Sequence, residues 1–122
     1  MRGFIITLAL FILLISGIIA NYSYVNNVHD SMHRLVAQLS NTPSKTNEAL
    51  LQKLSNYWNN KSTLLSISVS FREIDNLTNA INSLSAANQS GDVAQFLIYK
   101  EQTQNAIDSI MRLEKISIKN IF

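Results

Sequence analysis

Residues 4–20, "FIITLALFILLISGIIA", carry no charge, and twelve of the seventeen are Leu, Ile or Phe. Each of those twelve contributes roughly −0.3 to −0.6 kcal/mol at a bilayer-spanning helix centre, about −4 to −7 kcal/mol together. A water-soluble fold would have to bury the whole run, and only about 100 residues remain for the rest of the protein. The run therefore predicts a membrane anchor. As a helix it is about 25 Å long, slightly short of a ~30 Å hydrocarbon core. Phe4, Leu8, Phe11, Ile15 and Ile19 step along it at helical spacing, and Tyr22 and Tyr24 follow as interfacial anchors.

Such a segment has three possible fates. Signal cleavage needs small residues one and three positions before the cut. A cut after Ala20 puts Ile18 three positions before it, and a cut after Gly17 puts Ile15 there, so neither fits. A prepilin leader is suggested by "RGF", but the glutamate normal five positions after that cut is here Leu8. An uncleaved signal anchor over residues 1–25 is the expectation. Arg2 lies before the span, and the first charges beyond it are Asp30 and Arg34. The positive-inside rule then leaves the N-terminus in the cytoplasm and residues 26–122 outside the cytoplasmic (inner) membrane.

Beyond the span the chain holds one proline, Pro43, and one glycine, Gly91. That scarcity of turn formers predicts long helices with few loops. Val25, Val28, Met32, Leu35 and Leu39 form one apolar stripe that continues the anchor helix to about Asn41. Asp30 and Arg34 form an i,i+4 pair on its other face. Thr42 is expected to cap the next helix, with Pro43 at its first position.

Leu50, Leu51, Leu54, Tyr57 and Trp58 make a second stripe. Leu64, Ile67, Phe71, Ile74, Leu77, Ile81 and Leu84 make a third. One helix carrying both would be about 67 Å long and would run back into the bilayer. Lys61 also falls in the second stripe, so a break is expected at residues 59–62. "LSISVSF" alternates like a strand, but a lone strand has no partner, and helix is favoured. In "NQSGD", Gly91 suits a left-handed helix end, and Asp92 with Gln95 forms a capping box for the last helix. Val93, Phe96, Ile107, Ile110 and Met111 are its apolar face, interrupted by Lys100 and Glu114. The expected fold is all-α: a transmembrane helix continuing into a small antiparallel up-down bundle of three to four helices, at about residues 26–41, 43–59, 62–89 and 92–118. The closing Ile121 and Phe122 would then return towards the stalk or the headgroups.

The chain has no cysteine, which excludes disulfides, thiolate metal sites and a thiol nucleophile. Ten basic residues against eight acidic ones, scattered, form no stripe for phosphates, so no nucleic-acid partner is expected. "HDSMH" sets His29 and His33 at i,i+4, able to face one metal, with Asp30 in the zincin glutamate position. Asp is a methylene short for that base and no third ligand is evident. Two histidines flanking a packing face is the favoured reading, with no metal or cofactor. In "REID", Glu73 and Asp75 point to opposite flanks and cannot share a proton. Arg72 is expected to face Asp108 across a hairpin and form a salt bridge. Trp58 is expected in the core, with a partner-contact anchor as the sharper alternative. No phosphate loop, nucleophile triad or small-molecule substrate site is evident, and no enzymatic activity is expected.

The order of anchor, Trp58, "REIDNL", the "SGD" turn and terminal "SIKNIF" resembles a bacterial family of small single-pass membrane-anchored proteins, similar in length to these 122 residues and known only as a domain of unknown function. Trp58, Glu73, Ile74, Asp75, Asn120, Ile121 and Phe122 match its pattern. The histidine that this family often carries two positions before the glutamate is here Phe71, which removes any role built on it. The resemblance implies an uncharacterised membrane protein and adds no activity. The expected function is thus a non-enzymatic interaction or scaffold module, with the bilayer and another membrane or envelope protein as partners. A ligand-sensing bundle acting through a partner and a pilin-like subunit are the alternatives.

Overall fold

A computed structural model describes residues 1–66 and 69–121, with side chains outside 67–68 placed as far as Arg112. The expected contacts of Glu114, Asn120, Ile121 and Phe122, and the place of Ile67 in its stripe, lie outside the described side chains. Among the described residues every regular element is a helix: α1 (Arg2–Ala37), α2 (Lys45–Leu65), α3 (Phe71–Ser90) and α4 (Val93–Ile121). They run up, down, up and down. Each packs on its neighbour in sequence, and α4 closes the ring against α1.

Helix α1 is continuous over 36 residues. Its most apolar window is entirely unburied, whereas Val25, Val28, Met32 and Val36 enter the core. Core and apolar segment thus belong to one rod. The helix ends at Ala37, earlier than Asn41, because the next backbone groups find another partner. The Asn47 side chain accepts from the Ser40 N–H (3.0 Å) and donates to the carbonyls of Ser40 (3.1 Å) and Thr42 (3.0 Å). The cap of α2 is Ser44, not Thr42. Its hydroxyl accepts from the Asn47 N–H at 3.1 Å, and Pro43 lies ahead of the helix.

The expected break at residues 59–62 does not occur; α2 runs through it and ends at Leu65. Lys61 is accommodated by its stem, with Nζ 5.7 Å from the Tyr57 ring centroid and 6.0 Å from that of Tyr24. An amphipathic lysine can therefore stand in an apolar stripe without ending it. The interruption falls within "LSISVSF" instead. Ser66 follows α2 and Ser70 caps α3, accepting from the Glu73 N–H at 3.5 Å. "SFRE" is a capping-box pattern that outweighs the apolar periodicity across it. The shift splits the third stripe between two helices and leaves Leu64 and Phe71 exposed (57% and 73%). At the other corner Gly91 takes the left-handed conformation (φ 72°), and Asp92 Oδ1 accepts from the Gln95 N–H at 3.1 Å, as the sequence suggests. Val93, in the first turn after that corner, is exposed rather than buried.

The core centres on Trp58, Phe96, Met32, Leu54, Leu77, Ile81, Leu84 and Ile107, each less than 2% exposed. At about 25 cal/mol per Å² of apolar surface buried, such side chains dominate the stability of the fold. Every buried polar side-chain atom among the described residues has a hydrogen-bond partner.

Candidate functional site

His29 projects from α1 across to α4. Its Nε2 lies 2.8 Å from Asp108 Oδ1 and its Nδ1 3.2 Å from Asp30 Oδ1. A ring held between two carboxylates has both nitrogens engaged, and the His33 ring stacks on it at 6.0 Å between centroids and 9° between planes. Two histidines flanking a packing face describes this arrangement. No group of three metal-ligating side chains occurs among the described residues. Asp108 is thereby the partner of His29, not of Arg72, because α4 packs on α1 as well as on α3. Likewise Asp30 turns to His29, while Arg34 donates through Nε to the Asp30 carbonyl at 3.4 Å, so the expected carboxylate–guanidinium pair is not formed.

The far end of the bundle is closed by side chains that sequence reading passed over. Asn88, at the end of α3, accepts from the Ser44 N–H and donates to the Ser44 carbonyl, both at 3.0 Å. Lys100, an apparent flaw in its stripe, donates through Nζ to the Leu39 carbonyl (3.2 Å) and Asn41 Oδ1 (3.0 Å). A cation at the C-terminal end of α1 is favourable both as a donor to unpaired carbonyls and against the helix dipole. The signal available in sequence was polar residues at positions where periodicity asks for apolar ones.

Trp58 is buried and donates through Nε1 to Thr78 Oγ1 at 2.8 Å, so it is a core residue in this chain. Glu73 occupies the first turn of α3, where a carboxylate suits the helix N-terminus, and Asp75 is exposed. Between α2 and α3 an open groove of about 230 Å³ is lined mainly by Glu48, Gln52, Ser55, Asn82, Ser85 and Gln89. Phe4, Leu8, Phe11 and Ile19 are exposed on α1, and Ile15, Tyr22 and Tyr24 are half-covered. The Tyr24 hydroxyl donates to the Lys61 carbonyl at 3.3 Å.

Fold and surface together define a four-helix bundle whose first helix carries an uncovered apolar extension, long and apolar enough to cross a membrane. The chain belongs to the family described as "Domain of unknown function (DUF4363)", whose pattern matches residues 19–121. That match takes in the bundle and stops just inside the apolar extension, and it bears out the resemblance to a small family known only as a domain of unknown function. No curated protein and no solved structure matches the chain.

Proposed function

We propose that this protein is a single-pass membrane protein with its N-terminus in the cytoplasm. It presents the bundle outside the cytoplasmic membrane, where it binds or scaffolds another membrane or envelope protein without catalysing a reaction. The observation that carries this reading is the continuity of α1, whose uncovered apolar part runs directly into core residues from Val25 onward. Further support comes from the use of the polar groups. His29, Asn47, Asn88 and Lys100 all join helices or loops to one another, which leaves them fixing architecture rather than holding a reactant.

The test has two arms. The chain lacks cysteine, so Thr46→Cys in intact cells is expected to react with a membrane-impermeant maleimide without lysis. Labelling only after lysis would reverse the orientation. Photo-crosslinkers at Gln52 and Asn82, on the rim of the α2–α3 groove, are expected to capture one discrete partner in native membranes. A smear identical to that from random surface positions would remove the scaffold reading. A second reading, ligand sensing through a partner, draws on the hydrogen-bonding lining of the same groove. Saturable stabilisation of the full chain by one small polar solute in a thermal-shift screen would favour it. The pilin-like alternative expects a sheet after the first helix, and the helices α2–α4 give it no support.

A further inference from the structure

Four contacts fix the heights of the helices against α1. Lys61 on α2 meets Tyr24, and Asn47 meets Ser40. Asp108 on α4 meets His29, and Lys100 meets Leu39. Counting down each antiparallel pair at the common helical rise brings Leu65, the last residue of α2, level with about Ala20 or Asn21. Trp58 meets Thr78 across the α2–α3 pair, which sets Phe71 at the height of Leu65. The last turn of α4, ending at Ile121, comes down to the level of Gly17 to Ala20. The base of the bundle therefore overlaps the outer end of the apolar run instead of standing clear of it. Ile15 and Ile18 are only half exposed, on the same helix face as Tyr22 and Val25, whereas the flanking residues are open.

The span has a second property that bears on this base. About 25 Å of apolar helix is short of a ~30 Å core, and a short span is accommodated by local thinning or by drawing neighbouring residues into the interface. The exposed apolar residues at that height flank the α2–α3 corner. Leu64 and Phe71 are 57% and 73% exposed, whereas Ile74, Leu77, Ile81 and Leu84 of the same stripe are buried. The exposed Arg72 stands next to Phe71. An apolar pair with an adjacent cation matches an acyl–headgroup boundary carrying phosphate.

We propose that the corner between α2 and α3 is a second membrane contact. Leu64 and Phe71 enter the boundary of the leaflet from which α1 emerges, Arg72 lies at the phosphate level, and the bundle sits on the bilayer at two points instead of swinging on one. This rests on the reading of residues 4–20 as a membrane span, and the test separates the two. Four single-cysteine forms of the full chain, Phe11→Cys, Leu64→Cys, Phe71→Cys and Thr46→Cys, are labelled with an environment-sensitive fluorophore. They are reconstituted in vesicles of phosphatidylcholine and phosphatidylglycerol carrying nitroxides at a shallow or a deep acyl position. Unchanged melting in detergent verifies that each form is folded.

The expected result is deep quenching at position 11, shallow quenching at 64 and 71, and none at 46. Quenching at 11 with either 64 or 71 no better than 46 overturns the corner contact and leaves the anchor standing. Absence of quenching at 11 overturns the anchor and the corner contact together.

Discussion

Trp58 joins a large buried ring to one hydrogen bond, and the two can be weighed separately. Thr78→Val keeps the volume but strands the indole N–H, which costs about 1–3 kcal/mol when a buried donor loses its partner. Trp58→Ala removes the ring and leaves a cavity, costing about 3–5 kcal/mol. Denaturant melts of the two variants are expected to show that order, with Trp58→Ala the less stable. Asn47 makes the same point in a polar setting. Its side chain holds two carbonyls and one N–H group ahead of the first turn of α2, and its own backbone N–H donates to the Ser44 hydroxyl. Asn47→Ala is expected to cost about 1–3 kcal/mol by stranding the Ser40 groups, read as a lowered unfolding midpoint. Trp58 was legible as core because size and apolarity suffice for that inference. Its partner was not, since nothing local links residues twenty apart on different helices. Asn47, buried and apparently ordinary, carried no signal, because its role exists only once the 38–44 loop is closed around it.

At the scale of elements, the position of the α2–α3 break separates two kinds of sequence signal. The length of a single helix and the placement of Lys61 argued for residues 59–62, while the capping pattern from Ser70 to Glu73 marked the helix start. The cap prevailed because a lysine can bend its charge out of an apolar stripe, whereas unpaired N–H groups at a helix start need an acceptor. Asn60→Pro tests this directly. In the interior of a continuous α2 it removes a hydrogen bond and clashes with the preceding turn, costing about 3 kcal/mol or more; in a loop it would be tolerated, and a wild-type melting curve would refute the continuous helix. Ser70→Ala is expected to cost about 1 kcal/mol through loss of the cap. The link between α1 and α4 is measured by a double-mutant cycle on His29→Ala and Asp108→Ala. Because Asp108 is 54% exposed, the coupling is expected at about 0.2–1 kcal/mol, weakened by added salt. The partner of Asp108 escaped the sequence because a hairpin predicts contacts between α3 and α4 alone, and closing the ring is a property of all four helices.

For the whole molecule, the division between extension and bundle was the most legible feature, since seventeen uncharged residues outweigh any local preference that follows. Every described residue of the buried core lies at or beyond Val25. A fragment beginning at Asn21 is therefore expected to fold as a helical, cooperatively melting unit, visible by far-ultraviolet circular dichroism. A broad, non-cooperative transition would mean that the apolar extension contributes to folding.

The unbroken course of α1 has a mechanical consequence. A rod about 54 Å long, with no proline and no hinge along it, behaves as a crankshaft. In the proposed membrane-spanning arrangement, the bearing of the bundle around the membrane normal is geared to the rotation of the rod, a fixed angle of about 100° per residue separating any face inside the lipid from any face outside it. A neighbour gripping the Phe4–Phe11 side of the rod within the membrane would thereby decide which way the α2–α3 groove faces, as a key turned in a lock sets the bolt on the far side of the door.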